Sequence, residues 1–452
     1  MTLCRRSRAI IVVALAWMLA AGSESADAEV LPLSLEQAQR QAANQAHAVL
    51  TAAQELEVAR SSRRQSLATV LPSVRVGQQW MRTDDAVGVF GSRLRQERFT
   101  QADFALSALN EPAALTNVRT MIEIQQPLFS GGGALSQRRA AAEQVEAASA
   151  RLVRTRQHMQ FAAAEAYWRL VLSFEALSVV EAGVAAAMSH ALQAEKAWRA
   201  GSVSRSQMLA ARLRVAELEA NLIDAHHQRD VANDGLTHLL NLPLATLLEP
   251  ADELDLPSID PLAKIDSSTS ESPHRADVRA LDAQLRASRH MVRREGAAYL
   301  PEIHAFARFA WDGQKPLRAD GETWSAGASL SWSIFDGFLT QGRVQQARAR
   351  ATQIDLALVD LHNRVDRQVR DAARQLDAAQ QRAEVAATAI ASAQEHLRVT
   401  RIEYDHGIVT TTELLDAEVV RRSAQLRLLQ AIHDVRISKA RQQFALGTSL
   451  NL

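Results

Sequence analysis

Residues 197–213, AWRAGSVSRSQMLAARL, and residues 403–419, EYDHGIVTTTELLDAEV, read as one piece of chain written twice. The register puts Gly201 over Gly407, Val203 over Val409 and Leu209 over Leu415, an offset of 206 residues. Followed outward, the same offset carries Phe129–Asn241 onto Phe335–Gly447 without a gap, with LFSGGG (128–133) over IFDGFL (334–339). Upstream, 48–74 aligns with 277–303 at an offset of 229, which places Pro72 over Pro301. The difference of 23 residues locates an insertion in the first copy, between Pro72 and Phe129. Solenoid repeats run to roughly 20–50 residues. A duplicated unit this much longer predicts two equivalent halves of one body.

The N-terminus reads as a processing segment. Arg5, Arg6 and Arg8 precede the apolar run AIIVVALAWMLAAG, and Ala26-Asp27-Ala28 is an A-x-A cleavage signal. Arg5-Arg6 lacks the apolar pair expected after a twin arginine, so the expectation is Sec export and a mature chain from about Glu29. The single cysteine, Cys4, lies before the apolar run, so the mature chain is expected to hold no thiol, disulfide or lipid anchor. Charge is balanced, with 51 Lys+Arg against 51 Asp+Glu. Nothing in that balance points to nucleic acid. Past the signal no run of 18 apolar residues occurs, which leaves a closed β-barrel as the way to cross a membrane.

Five of the eleven prolines fall in 243–273, together with SSTSES at 267–272, and none in 128–242 or 317–452. The proline cluster reads as a linker. The proline-free stretches are rich in strong helix formers. In the second copy a stripe of mostly small apolar residues runs Ile354, Leu358, Leu361, Val365, Val369, Ala372, Leu376, Ala379, Ala383, Ala386, Ile390, Ala393, Leu397. Steps of three and four make this a helical seam. Small seams suit close helix–helix approach rather than a wide core. A helix over about 132–200 spans ~100 Å, and a return helix over about 203–242 only ~60 Å. A further helix within about 35–70 supplies ~54 Å. The account closes as an elongated helical-hairpin body.

Strand-like stretches interrupt the helices. Ile303, Ala305, Ala307, Phe309 and Trp311 alternate on one face of EIHAFARFAW. Trp324, Ala326, Ala328, Leu330, Trp332 and Ile334 do so in TWSAGASLSWSIF. In the first copy Val118, Thr120, Ile122 and Ile124 form a third set, and Val74, Val76 and Trp80 a weaker fourth. Runs of about ten residues match tilted membrane strands, and Trp80, Trp311 and Trp324 fall where interfacial girdles sit. The competing reading is a soluble amphipathic sheet. Four strands cannot close a barrel, and an open edge cannot face lipid, so a membrane reading demands an oligomer.

With these features the chain resembles the TolC family of outer-membrane efflux and secretion ducts. The matching residues are LPSV and LPEI before strands, PLFSGG and SIFDGF at the strand-to-helix junctions, and AGSVSRSQML and HGIVTTTELLDAE at the helical tips. LSLEQAQRQAANQ, with Ser34 as N-cap, resembles the family's first helix. The resemblance covers about 33–447. It implies a mainly α protein with a membrane β-barrel: a trimeric twelve-stranded barrel continued by a long α-helical barrel, each protomer built of two tandem structural repeats. The expected organisation is a signal peptide at 1–28, then a first repeat at 29–242 with a β-hairpin at 72–129 and a helix hairpin at 132–242. The linker or equatorial segment is 243–273. The second repeat is 274–452, with a β-hairpin at 301–335 and a helix hairpin at 338–447.

The resemblance also implies function and partners. The expectation is a passive duct carrying small molecules through periplasm and outer membrane, as a homotrimer in outer-membrane lipid. A periplasmic adaptor (membrane fusion protein) and an inner-membrane pump of RND, ABC or MFS type would serve it. The adaptor-docking tips would be Gly201, Ser202 and Val203 with Gly407, Ile408 and Val409. The periplasmic aperture would be lined by Glu413 and Asp416, beside Tyr404, as acidic rings. The arginine that the best-studied members place two residues after the tip glycine is Val409 here, and its acidic partner aligns with Gln207. That closing salt bridge is therefore not expected. The 83–116 stretch holds the 23-residue excess and is expected to be an extracellular loop, dispensable for assembly and cut first by external protease, with its polar FGSRLRQERF folded over the mouth.

No catalytic motif appears: no H-E-x-x-H, no Walker A, no G-x-S-x-G. His226-His227 reads as a surface pair and Tyr167-Trp168 as seam packing. No enzyme activity, cofactor or metal site is expected. The alternatives are a type I protein secretion duct and, in another class, a periplasmic coiled-coil scaffold. The scaffold accounts for the helices but not for the four alternating strands.

Overall fold

The computed structural model describes residues 30–255, 275–316 and 320–448. The expected signal segment 1–28 and linker residues 256–273 lie outside the described residues. In chain order the elements are β1 (Val30–Leu33), α1 (Leu35–Gln45), α2 (His47–Gln65), β2 (Ser73–Thr83), α3 (Ala86–Arg95), α4 (Leu106–Asn110), β3 (Leu115–Ser130), α5 (Gly133–Arg199), α6 (Arg205–Leu239), β4 (Leu247–Pro250), α7 (Ala276–Gly296), β5 (Glu302–Gly313), β6 (Gly321–Ser331), α8 (Leu339–Asp405) and α9 (Thr411–Leu446). They pack as two compact units. One is formed by the described residues within 50–155 and 266–370, the other by those up to 49 and within 156–265 and 371–452.

The strand-bearing unit holds one antiparallel sheet in the order β2-β3-β5-β6. Its register merges the four alternating patterns. Val74 pairs with Ile124 and Val76 with Ile122. Ile122 pairs with Phe309 and Ile124 with Ala307. Phe309 pairs with Trp324 and Ile303 with Leu330. Directly opposed residues point to the same side, so these sets form a single apolar face. On the other face Arg75, Glu123, Arg308 and Ser325 stand in one row. There Arg308 Nε donates to Glu123 Oε1 at 2.7 Å. Most of the apolar face is uncovered: Val76 is 71% exposed, Trp80 69%, Trp324 75% and Leu330 66%, while Val118, opposite Trp80, is buried. Trp80, Trp311 and Trp324 fall on this face near the end of the sheet away from the helices.

One expectation about this unit is corrected. β6 ends at Ser331, so Trp332 and Ile334 lie beyond the strand on which they were expected. The Trp332 indole N–H donates instead to the Tyr299 carbonyl at 3.1 Å. The 83–116 stretch is locally ordered. It folds into α3, a 3-10 turn at Gln101–Phe104 and α4. Phe99 stacks edge-on against both Phe90 and Phe104, with ring centroids 4.8 and 5.1 Å apart.

The second unit is helical, with one small parallel strand pair, β1 against β4. β4 is an addition to the expected linker. Its core joins Leu33, Leu35, Ala38 and Ala42 to Ala163, Ala164, Tyr167, Trp168 and Leu170 of α5 and to Leu236 and Ile432 of α6 and α9. Ser34 caps α1 through a capping box with Gln37. Tyr167 is fully buried and hydrogen-bonded at its tip. Its hydroxyl donates to Asp252 Oδ2 at 2.6 Å, and the same carboxylate oxygen receives the Leu35 N–H at 3.0 Å. Burial, and then the Asp252 carboxylate, push the Tyr167 phenol well above its ordinary value. Arg436 lies over the Trp168 ring at 5.2 Å. A window within α5 has a mean hydropathy of 1.7, long and apolar enough to cross a membrane by composition. That qualifies the expectation of no such helix. Glu165 of the same helix pairs with Arg441 of α9 at 3.1 Å, and the surrounding residues form the core just described.

The stripe on α8 is its inward face: Val365, Ala372, Leu376, Ala379, Ala383, Ile390 and Ala393 are all buried. Duplication is visible in the backbone too. The left-handed residues pair at the 206-residue offset: Gly131 with Gly337, Gly132 with Phe338, Gly201 with Gly407, Asn241 with Gly447. Among the described residues only Glu97 stands outside this pairing, and it lies in the inserted segment. Phe338 adopts φ 69 where the first copy has glycine. The repeat therefore preserves a turn geometry even where the residue type resists it.

Candidate functional site

Each helical tip is a stop followed at once by a start. At the first, the Gly201 N–H reaches Trp198 O at 2.9 Å and the Ser202 N–H reaches Ala197 O at 2.8 Å. At the second, the Gly407 N–H reaches Tyr404 O and the Ile408 N–H reaches Glu403 O, both at 2.9 Å. This is the Schellman arrangement, and it requires the left-handed φ of +77 at Gly201 and +72 at Gly407. The return helices then start with capping boxes, Ser204 with Gln207 and Thr410 with Glu413. Space around both glycines is open, and Ile408 is 72% exposed. Ser202 is exposed and Val203 and Val409 half-buried, so each tip presents a small mixed surface.

Glu413 and Asp416 are both exposed and share the first turns of α9. Glu413 has a structural task as well. Its Oε2 receives the Thr410 N–H at 2.6 Å and the Thr410 hydroxyl at 2.9 Å. Those two bonds hold its carboxyl below the usual range, so it is ionised at neutral pH. Tyr404 is half-buried, its hydroxyl 3.4 Å from Thr411 Oγ1. His226 and His227 lie on α6, and among the described residues no group of three His, Cys, Asp or Glu is placed to hold a metal.

A second cluster lies behind the tips and was not read from the sequence. His190 Nε2 of α5 is 2.9 Å from Glu418 Oε1 of α9, and Arg401 of α8 is 3.6 Å from the same oxygen. In the first copy Glu195 pairs with Arg212 at 3.2 Å. Glu195 aligns with Arg401, and Arg212 with Glu418. The ion pair across each hairpin is thus kept in place with its polarity reversed. The 206-residue alignment contains this swap, and the S-x-x-Q and T-x-x-E spacings of the capping boxes were readable there too.

Burial by itself would raise the Glu418 carboxyl. The His190 hydrogen bond and the charges of His190, Arg401 and Arg422 outweigh it, and the group lies below the usual carboxylate range. A depressed carboxylate stabilises the fold fully above its unfolded pKa of ~4.3. That contribution is lost as pH falls through the folded value. Acid titration followed by helical circular dichroism should therefore show weakening below about pH 4. Glu418→Gln should be less stable at pH 7 and flatter in acid. Superimposable acid curves for the two proteins would reject this role.

An uncovered apolar sheet face, unpaired edges at β2 and β6, and paired helical hairpins together define an outer-membrane duct of the barrel-and-helix type. The chain belongs to the outer membrane efflux protein family, whose model matches residues 38–242 and 271–448. The two matched segments correspond to the two repeats. Among curated proteins the chain is similar to the alkaline protease secretion protein AprF of Pseudomonas aeruginosa, 24% identical over 335 residues, 72% of this chain and 69% of that one. Among solved structures it is similar to CusC, with TM-score 0.77, 18% identity and 92% of each chain covered. It is also similar to the CmeC outer membrane channel of Campylobacter jejuni, with TM-score 0.80, 14% identity, 91% of this chain and 85% of that one. The protein is an outer-membrane duct for efflux and not an enzyme, with a large helical part in the periplasm. Family membership implies trimeric assembly with export partners.

Proposed function

We propose that this chain is the passive exit duct of a tripartite small-molecule export system, fed by a periplasmic adaptor and an inner-membrane pump of RND, ABC or MFS type. The observation that carries the reading is the uncovered apolar face of a four-stranded sheet whose edge strands, β2 and β6, are unpaired within the chain. Lipid offers no hydrogen bonds to a strand edge, so β2 of one protomer must meet β6 of the next until the ring closes. Three protomers give twelve strands. Cross-linking of the purified protein in detergent should yield trimers as the end product. A ladder that stops at monomers and dimers would overturn the reading.

The tips, 199–206 and 405–412, are the adaptor-docking surface in this reading. They end the long helices α5 and α8, whose other ends receive the strands β3 and β6. Glu413 and Asp416, exposed on one helix, become acidic rings at the periplasmic entrance under three-fold symmetry. A second reading, secretion of a polypeptide, is favoured by the relative named for alkaline protease secretion. Export of a fluorescent small solute from cells carrying the cognate pump, against secretion of a co-encoded protein, separates the two.

A further inference from the structure

The inserted segment between β2 and β3 is seated on a particular face of the sheet. Arg119 pairs with Asp312, and Asp312 pairs with Gly321, so all three lie on the same side. Asn117, two residues from Arg119, shares it. This is the polar side, opposite Trp80, Phe309 and Trp324. Gln96, at the end of α3, is buried against it. Its Nε2 donates to Asn117 Oδ1 at 2.8 Å and to the Thr116 carbonyl at 3.1 Å. Asn117 Nδ2 donates in turn to Asp312 Oδ1 at 2.6 Å. Asp312 is wholly buried, with Arg119 Nε 3.9 Å from its other oxygen.

An independent contact makes the same point. A Cβ added to Gly321 would lie 2.0 Å from the Arg95 carbonyl oxygen. Gly321 would direct that Cβ to the polar side, so the end of α3 rests directly on the strand there. Val89 and Ser92 of α3 are buried as well. An ion pair between Arg93 and Asp103 and the Phe90–Phe99–Phe104 stack give the segment its own small core. All of this happens at Thr83, Leu115, Gly313 and Gly321, the strand ends farthest from the helices.

We propose that residues 84–114 form a luminal lid that sets the size of what can leave the duct. The inference rests on the duct reading. When three sheets close with the apolar face to lipid, the polar face lines the channel. The helices lie in the periplasm, so the opposite strand ends form the outer mouth. Three copies of α3 then stand inside that mouth, held by Gln96, Asn117 and Asp312. Small solutes pass between them. A chain-like cargo needs the lid released.

The test is single-channel recording of purified trimers in planar bilayers, with polyethylene glycols of graded size added to find the largest that enters. Gly321→Ala occupies the space of the Arg95 carbonyl. Gln96→Ala removes the clamp from the lid side and leaves the strands untouched. Both should raise conductance at least twofold and admit larger polymers than the wild type. Trypsin should also cut both variants faster at Arg93, Arg95 or Arg98. Wild-type conductance, wild-type polymer cut-off and wild-type cleavage in both variants would overturn the lid while leaving the duct. No current from wild type or variants would overturn the duct reading, and the lid with it.

Discussion

Gly407→Trp and Gly201→Trp should each reduce export to background while trimers still assemble. Both glycines stand at left-handed φ, where any other residue except asparagine or aspartate costs about 1–2 kcal/mol. That strain alone is too small to unfold helices of 67 residues that are anchored along a buried seam. Nothing lies within 4 Å of the added Cβ at either glycine, so the new ring points into open space. It therefore meets whatever docks there and disturbs little else. Alanine provides the comparison, since Gly407→Ala carries the same backbone strain without the bulk. If backbone geometry alone matters, Ala and Trp should impair export alike. If the tip is a docking surface, Ala should keep most activity and Trp should lose it. Accumulation of a pumped dye in intact cells reads export, and cross-linking reads assembly. Full export by both tryptophan variants would refute docking at the tips.

Much of the fold was legible because duplication turns one ambiguous sequence into two readings of the same structure. The seam Ile354–Leu397 was readable because helix burial has a period, and it matches the buried face of α8. The strand patterns gave four apolar sets separately. Only the register showed that they lie on one face, because pairing is non-local and a single-residue slip would have put them on opposite sides. The error at Trp332 and Ile334 has the same origin. Alternation continues past Ser331 in the sequence, but the partner strand begins at Glu302, which pairs with Ser331, and the ladder runs out. The anchors of the lid, Gln96, Asn117 and Asp312, were not legible because they are far apart in sequence and ordinary in type. Nothing local marks Gly321 as the place where another segment's backbone rests. The site was legible in part. The tip glycines end the long helices where the repeat alignment put them, and Glu413 and Asp416, singled out by the resemblance, are exposed on the first turns of α9. The Arg401–Glu418 pair was present in the repeat alignment as a charge swap, but the approach of His190 to Glu418 was hidden because those helices meet only in the folded unit.

Trivalent or divalent cations added on the periplasmic side should block current through the wild-type duct, and Glu413→Gln with Asp416→Asn should lower the affinity of that block at least tenfold. In the proposed aperture, three protomers would bring six carboxylates to the entrance, and rings of carboxylate favour and retain cations. Glu413 stays charged at neutral pH because the Thr410 N–H and hydroxyl both bond its carboxylate form. The choice of variant follows from that geometry. Alanine at Glu413 would delete half of the capping box and could weaken the start of α9 by about 0.5–2 kcal/mol, confusing aperture chemistry with helix loss. Glutamine keeps a side-chain acceptor for the Thr410 N–H and removes only the charge. Asp416 is exposed, and a neutral substitution there should change stability by under about 0.5 kcal/mol. The double variant should thus keep wild-type melting and trimer formation, lose its cation preference and conduct in the presence of the blocker. The pH dependence follows the same sign. Because the Glu413 carboxyl lies below the ordinary value, wild-type block should persist as pH falls through 5 and fade only in stronger acid. Equal block and equal selectivity in wild type and double variant would remove Glu413 and Asp416 from the aperture while leaving the duct intact.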